Sequence, residues 1–102
     1  MDELIDSRTI ISDEESDLQV VFKLYGSGLF AIVYQSHGTS ACQEFTLNDI
    51  SVFEEIVCRF MQAFDHAGDF SNQSFNVLDC FIDAQIDEIC DQYFAYTKLS
   101  WL

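Results

Sequence analysis

The stretch LQVVFKLYGSGLFAIVYQ, residues 18–35, contains two apolar segments separated by a glycine-rich turn. In the first segment every second residue is apolar and shares one face: Leu18, Val20, Phe22 and Leu24. This period of two is typical of a half-buried strand, because successive side chains of a strand point to opposite faces. The GSG turn at 26–28 tolerates the positive φ angles of tight hairpins. We therefore predict an antiparallel β-hairpin formed by residues 18–25 and 29–35.

The segments on either side of this hairpin are less regular. After a second turn, SHGTS at 36–40, the segment ACQEFT at 41–46 is compatible with a third strand. On the other side, residues 1–17 are polar and acidic apart from a short apolar patch at Ile10 and Ile11. We expect them to form a loosely ordered, solvated lead-in. The predicted sheet accordingly has two or three strands.

A helix is predicted after the sheet. Ser51 and Glu54 have the spacing of a capping box, although Asn48 or Asp49 could begin the helix one turn earlier. The apolar residues that follow recur at helical spacing: Phe53, Ile56, Val57, Phe60, Met61 and Phe64. Residues 65–74 are rich in turn formers and are predicted to be a loop.

A second helix is predicted from Phe75 to about Tyr96, with Ser74 as its cap. Its core-facing residues recur every three or four positions: Phe75, Leu78, Ile82, Ile86, Ile89 and Tyr93. A short antiparallel sheet followed by two helices is an α+β arrangement. The chain is therefore predicted to be a single acidic α+β domain spanning residues 1–102.

The chain is strongly acidic. Its 102 residues include 18 acidic and four basic side chains, for a formal net charge of −14. Because 49% of the residues are hydrophobic and ten are Phe, we expect a folded domain rather than a disordered chain. Its charge disfavours direct binding to nucleic acid and to anionic membranes. The expected partner is a basic protein surface, the kind of surface that most often binds nucleic acid.

The sequence predicts a cytoplasmic protein. Its first residues, MDELIDSR, lack the basic and apolar regions of a signal peptide. No apolar run approaches the roughly 20 residues that span a bilayer.

The last predicted helix carries an unusual charge pattern. Four aspartates follow one another at intervals of four residues and form what we call the acidic row: Asp79, Asp83, Asp87 and Asp91. Like charges at this spacing repel and together destabilise a helix by on the order of 1 kcal/mol. Glu88 adds to the charge, and no basic residue lies between Arg59 and Lys98. A solvated face would explain the row alone, but the single sign of charge along the whole chain favours a binding role.

Aromatic residues near the acidic row are candidate anchors for a partner, because aromatic side chains often contribute most of an interface's binding energy. The candidates are Tyr93, Tyr96 and Trp101. For each of them packing within the domain is the alternative, and for Phe94 we expect core packing.

The sequence gives no sign of an enzyme. His37 and His66 lie in predicted turns, without a nucleophile or carboxylate at a telling spacing. Four cysteines, which lack a CxxC motif, are expected to be reduced and mostly buried: Cys42, Cys58, Cys80 and Cys90. A straight helix spreads the acidic row along a line, whereas Mg²⁺ or Ca²⁺ needs converging oxygens. We therefore expect no metal and no cofactor.

These observations favour a small inhibitor that mimics DNA. It would bind the basic nucleic-acid-binding surface of a nuclease or defence complex through the acidic row, Glu88 and the aromatic anchors. A phage counter-defence protein, of the anti-CRISPR or anti-restriction kind, and an immunity protein for a nuclease toxin both fit this description. A different class, an acidic secretion-type chaperone or adaptor, would instead use apolar residues such as Val21 and Tyr25. The sequence leaves open whether the chain forms a homodimer.

Overall fold

A computed structural model of the chain describes residues 2–95 and shows one antiparallel sheet followed by two helices. The elements are β1 (Leu4–Asp13), β2 (Leu18–Tyr25), β3 (Leu29–Ser36), β4 (Thr39–Thr46), a short 3₁₀ turn (Ile50–Val52), α1 (Phe53–Ala67) and α2 (Phe75–Tyr93). The strands lie in the order β1-β2-β3-β4. The α+β class is confirmed, and the sheet has four strands instead of two or three.

The predicted hairpin is present as β2 and β3, with Phe22 opposite Ile32. At its turn, the N–H of Gly28 donates to the carbonyl of Tyr25 at 2.9 Å. Gly28 has a φ of +94°, a conformation that side chains with a Cβ rarely adopt. The third predicted strand is also present and forms β4.

The strand that the sequence did not predict is β1. It pairs with β2, but its register shifts between Leu4 and Asp6 and again between Thr9 and Ile11. Each shift adds a residue to one strand and reverses the face on which the following side chains lie. The alternation of polar and apolar residues is therefore broken, and residues 4–13 resemble a lead-in although they form an edge strand.

The start of α1 differs from the predicted capping box. The Asp49 side chain accepts a hydrogen bond from the N–H of Ser51 at 3.0 Å and begins the 3₁₀ turn, while α1 itself starts at Phe53 without a side-chain cap. The alternative start near Asp49 therefore holds for the 3₁₀ turn that leads into α1, and not for α1 itself. At the other helix, the Ser74 hydroxyl accepts from the N–H of Val77 at 3.4 Å, which confirms the predicted cap.

Both helices pack on the same face of the sheet and run antiparallel to each other. The end of α2 meets the start of α1, where the Tyr93 hydroxyl donates to Glu55. At the opposite ends of the two helices, the rings of Phe64 and Phe81 are 4.9 Å apart. The apolar rows predicted for the two helices enter the core with two exceptions: Phe75 is half-buried against it and Met61 is 50% exposed.

Candidate functional site

The acidic row follows α2 from its contact with the sheet outward into solvent. Successive members are about 6 Å apart along the axis, and each step turns about 40° because four residues exceed one helical turn. Asp79 is accordingly half-buried, whereas Asp83, Asp87 and Asp91 are exposed. Glu88 is exposed as well. The row is therefore a slowly winding line of carboxylates rather than a cluster.

The first half of the row also holds α2 on the sheet. The hydroxyl of Tyr34 on β3 donates a hydrogen bond to Asp79. The side-chain amide of Gln43 on β4 donates to Asp83 at 2.7 Å and to the Tyr34 hydroxyl at 2.9 Å. Asp79 and Asp83 therefore have a structural role that the sequence did not indicate, and Asp79 is the least available of the four for a partner.

Burial and the hydrogen bond to Asp79 raise the pKa of Tyr34 to about 12. In the folded protein Tyr34 therefore keeps its hydroxyl proton at pH values at which the unfolded chain, with the ordinary tyrosine pKa of 10.0, has already lost it. The stabilisation is complete below that pKa and disappears as the pH rises toward the folded value, because the unfolded state then binds fewer protons.

We expect the free energy of unfolding to fall between about pH 10 and pH 12, and to fall less steeply in Tyr34→Phe. Urea denaturation across this pH range would measure both slopes. Tyr25→Phe is the matched control, since Tyr25 is half-buried on the opposite face of the sheet from Asp79. Equal slopes in Tyr34→Phe and wild type would show that Tyr34 does not couple proton release to unfolding.

No member of the acidic row is in an ion pair with a residue in the 2–95 range. The ion pairs in that range join Arg8 to Asp6 and to Glu54, on the far side of the domain. Arg59 lies over the ring of Tyr93, 5.7 Å from its centroid, and its guanidinium reaches the side chain of Gln92 at 3.5 Å. The charge of the row is thus left without local neutralisation by the described residues.

Of the three candidate aromatic anchors, the structure describes only Tyr93. Tyr93 is only 3% exposed and its hydroxyl is engaged with Glu55, so it cannot act as an exposed anchor. Its position at the end of the core-facing row of α2 accounts for this burial. Tyr96 and Trp101 lie outside the described residues. Phe94 is buried, as predicted.

A groove of about 450 Å³ separates α2 from the outer edge of β4. Its floor is apolar, with the rings of Phe45 and Phe94 stacked 4.5 Å apart. The remaining lining residues are mostly polar or acidic: Gln43, Glu44, Thr46, Asp83, Ile86, Asp87 and Cys90. Asp83 and Asp87 of the acidic row therefore form one side of a partly apolar groove, which we call the β4–α2 groove. The sequence pattern identified the acidic residues Asp83 and Asp87 but did not predict the groove that they line.

The outer face of the sheet, opposite the helices, differs from the rest of the surface. On β2, β3 and β4 its charged side chains are Lys23 and Glu44, which lie on the same cross-strand row. Val21, Val33 and Cys42 form the neighbouring row. This face is nearly neutral in a chain that carries a net charge of −14.

The cysteines and histidines give no indication of catalysis. All four cysteines are free thiols, as expected, but Cys42, Cys58 and Cys80 are exposed, which corrects their predicted burial. His66 belongs to the last turn of α1 instead of a loop, and His37 occupies the β3–β4 turn. Among residues 2–95, no three potential ligands of the His, Cys, Asp or Glu type lie close enough to hold a metal ion.

Neither α1 nor α2 has both the length and the apolar character that a membrane-crossing helix needs. No protein-family model matches the chain, and comparisons with curated proteins and with solved structures found no similar protein.

Proposed function

We propose that this protein is a small inhibitor that occupies the basic nucleic-acid-binding surface of a nuclease or defence complex. The observation that carries the proposal is the exposed part of the acidic row, whose three carboxylates have no cationic partner among residues 2–95. Such a row is unfavourable in the free protein, because like charges repel along the helix. A partner that supplies Lys and Arg side chains would remove this repulsion.

The spacing of the row supports mimicry of a polynucleotide only when neighbouring acids are included. One strand of DNA has a phosphate about every 3.4 Å along the axis, whereas the row has a carboxylate about every 6 Å. Glu88, which lies on α2 between Asp87 and Asp91 and is also exposed, raises the local charge. A basic surface that normally binds phosphates would meet a comparable density of negative charge across this face.

Electrostatic complementarity of this kind acts mainly on specificity and on the association rate. Long-range attraction would guide the domain into a basic cleft before nucleic acid reaches it. Exposed charges are screened over about 8–10 Å at physiological ionic strength, so the complex should weaken as salt is added. A phage counter-defence protein and an immunity protein for a nuclease toxin would both work in this way.

The proposal predicts that duplex DNA competes with this protein for its partners. Immobilised protein would be incubated with host lysate, and the retained proteins would be eluted with duplex DNA and, separately, with a salt gradient. We expect DNA to release nucleic-acid-binding proteins, whose DNA binding or cleavage the free protein then inhibits. The triple variant Asp83→Asn, Asp87→Asn and Asp91→Asn should lose at least about tenfold in affinity for the same proteins, a loss of roughly 1.4 kcal/mol.

Asparagine is the appropriate replacement because its side-chain oxygen can still accept the hydrogen bond from Gln43, so that the fold is retained. The control variant, Glu14→Gln, Glu15→Gln and Asp17→Asn, removes the same charge from the exposed β1–β2 turn. If both variants bind equally well, or if DNA fails to displace the retained proteins, the acidic row is a solvated face and the proposal is wrong.

A second candidate is favoured by the nearly neutral outer face of the sheet. An acidic chaperone or adaptor would use Val21, Val33 and Tyr25 to bind an apolar segment of a client protein. Such a complex would tolerate high salt, because apolar contacts are not screened. Replacing Val21 and Val33 by Thr would weaken that complex and leave an inhibitor that acts through α2 unaffected.

A further inference from the structure

The two edges of the sheet differ in how they are protected. Edge strands expose unpaired N–H and C=O groups, and proteins usually block them with bulges, charges or covering segments. β1 contains two register shifts, whereas β4 pairs with β3 in an uninterrupted register from Thr39 to Thr46. The outer edge of β4 is therefore regular over its whole length.

One hydrogen bond shows which backbone groups of β4 point away from β3. The N–H of Ala95 donates to the carbonyl of Thr46 at 2.7 Å, so Thr46 points away from β3. In an antiparallel strand the backbone groups of alternate residues point to the same side. Ser40, Cys42 and Glu44 must then point outward too, and none of them has a backbone partner within residues 2–95.

Just beyond the end of this edge the chain makes a backbone bridge of its own. Phe94 forms an antiparallel bridge with Leu47, directly after α2 ends. Together with the hydrogen bond to Thr46, this bridge shows that extended backbone pairs with this end of the edge. The β4–α2 groove continues from that point along the strand.

We infer that the outer edge of β4 binds an extended basic segment of the partner protein as a fifth antiparallel strand, with its Lys or Arg side chains in the β4–α2 groove. The choice of a basic partner rests on the proposed function, whereas the strand pairing rests on the edge itself. Long cationic side chains fit this groove because their aliphatic stems can lie on Phe45 and Phe94 while their charges reach Asp83 and Asp87.

Charge complementarity selects this occupant over a second copy of the chain. Two copies that pair through β4 would bring two grooves lined by Glu44, Asp83 and Asp87 together, with no basic residue among the groove's lining. A basic strand brings opposite charge to the same place. Addition of a strand to a sheet edge is a common mode of peptide recognition, in which the backbone provides affinity and alternate side chains provide specificity.

The register predicts which backbone groups of the incoming strand take part. Residues that hydrogen-bond directly across an antiparallel ladder have their side chains on the same face. Ser40, Cys42 and Glu44 have side chains on the outer face, so their partners do too. In a peptide of alternating lysine and valine, the valines would therefore pair with β4 and the lysines would point into the groove.

The test uses three capped peptides of this alternating sequence with the full-length protein at low salt. One is unmodified, one is N-methylated on its valines and one is N-methylated on its lysines, so all three carry the same charge. We expect methylation of the valines to weaken binding at least tenfold and methylation of the lysines to change it less than twofold. In NMR titrations the unmodified peptide should shift the amide signals of Ser40, Cys42 and Glu44.

Several results would overturn the inference. These are equal binding of the two methylated peptides, amide shifts confined to α2, and failure of the unmodified peptide to bind, as expected if the chain's own residues or a second copy cover the edge. If the methylated peptides bind equally but Asp83→Asn with Asp87→Asn weakens both, strand pairing is wrong while charge-based binding remains. The proposed function is judged separately, by displacement with duplex DNA.

Discussion

Replacing Ile82 by aspartate is expected to unfold the domain at neutral pH. Ile82 lies on the core-facing side of α2 and is completely buried. Loss of a buried aliphatic side chain costs about 2–5 kcal/mol, and burial of an unpaired carboxylate adds several kcal/mol more. The sum is comparable with the whole stability of a typical small domain, about 5–15 kcal/mol. Far-UV circular dichroism and a thermal melt would detect the loss directly.

The matched control places the same carboxylate two residues further along the same helix. Ala84 is exposed, so Ala84→Asp should change the stability only by about 1 kcal/mol or less, mostly through propensity and repulsion from Glu88. A folded Ile82→Asp variant, or an unfolded Ala84→Asp variant, would mean that the helix is rotated relative to the sheet. The position of the acidic row depends on the same rotation.

Replacing Phe60 by alanine is expected to lower the free energy of unfolding by about 3–5 kcal/mol. Phe60 is 1% exposed, and its ring meets that of Phe22 edge to face, with centroids 4.8 Å apart. The substitution would therefore open a cavity where α1 packs on the sheet and also remove an aromatic pair. Denaturation by urea would give the change in free energy.

The adjacent residue provides the control for Phe60. Met61 is 50% exposed, and Met61→Ala should change the free energy of unfolding by less than about 0.5 kcal/mol. Similar losses in both variants would contradict the orientation of α1. Helical spacing alone predicts that Met61 is buried, whereas the structure exposes it. Comparing Met61→Ala with Phe60→Ala therefore also tests which of these two placements of Met61 is right.

Local patterns predicted most of the fold, because in a regular strand or helix the apolar residues recur at the period of that element. The alternation in β2 and the three-and-four spacing in α2 each require one buried face, and both faces are buried as predicted. β1 was not predicted, because its two register shifts reverse the face on which the side chains lie in mid-strand. A period-two search cannot recognise a strand whose period is interrupted twice.

The candidate site was predicted only in part, because its key contacts are distant in sequence. Asp79 and Asp83 were recognised by their spacing, but their partners Tyr34 and Gln43 lie 45 and 40 residues away. The β4–α2 groove likewise joins two elements that no local pattern connects. The exposed thiols of Cys58 and Cys80 lie on the sides of α1 and α2 that face away from the core.

The order of the strands has a consequence for the speed of folding. Every pair of neighbouring strands in the sheet is also consecutive along the chain, and short turns connect them. The entropy lost in closing these loops is small, and a high proportion of local contacts accelerates folding. A protein that has to block its target soon after it leaves the ribosome would benefit from a chain whose sheet assembles one hairpin at a time.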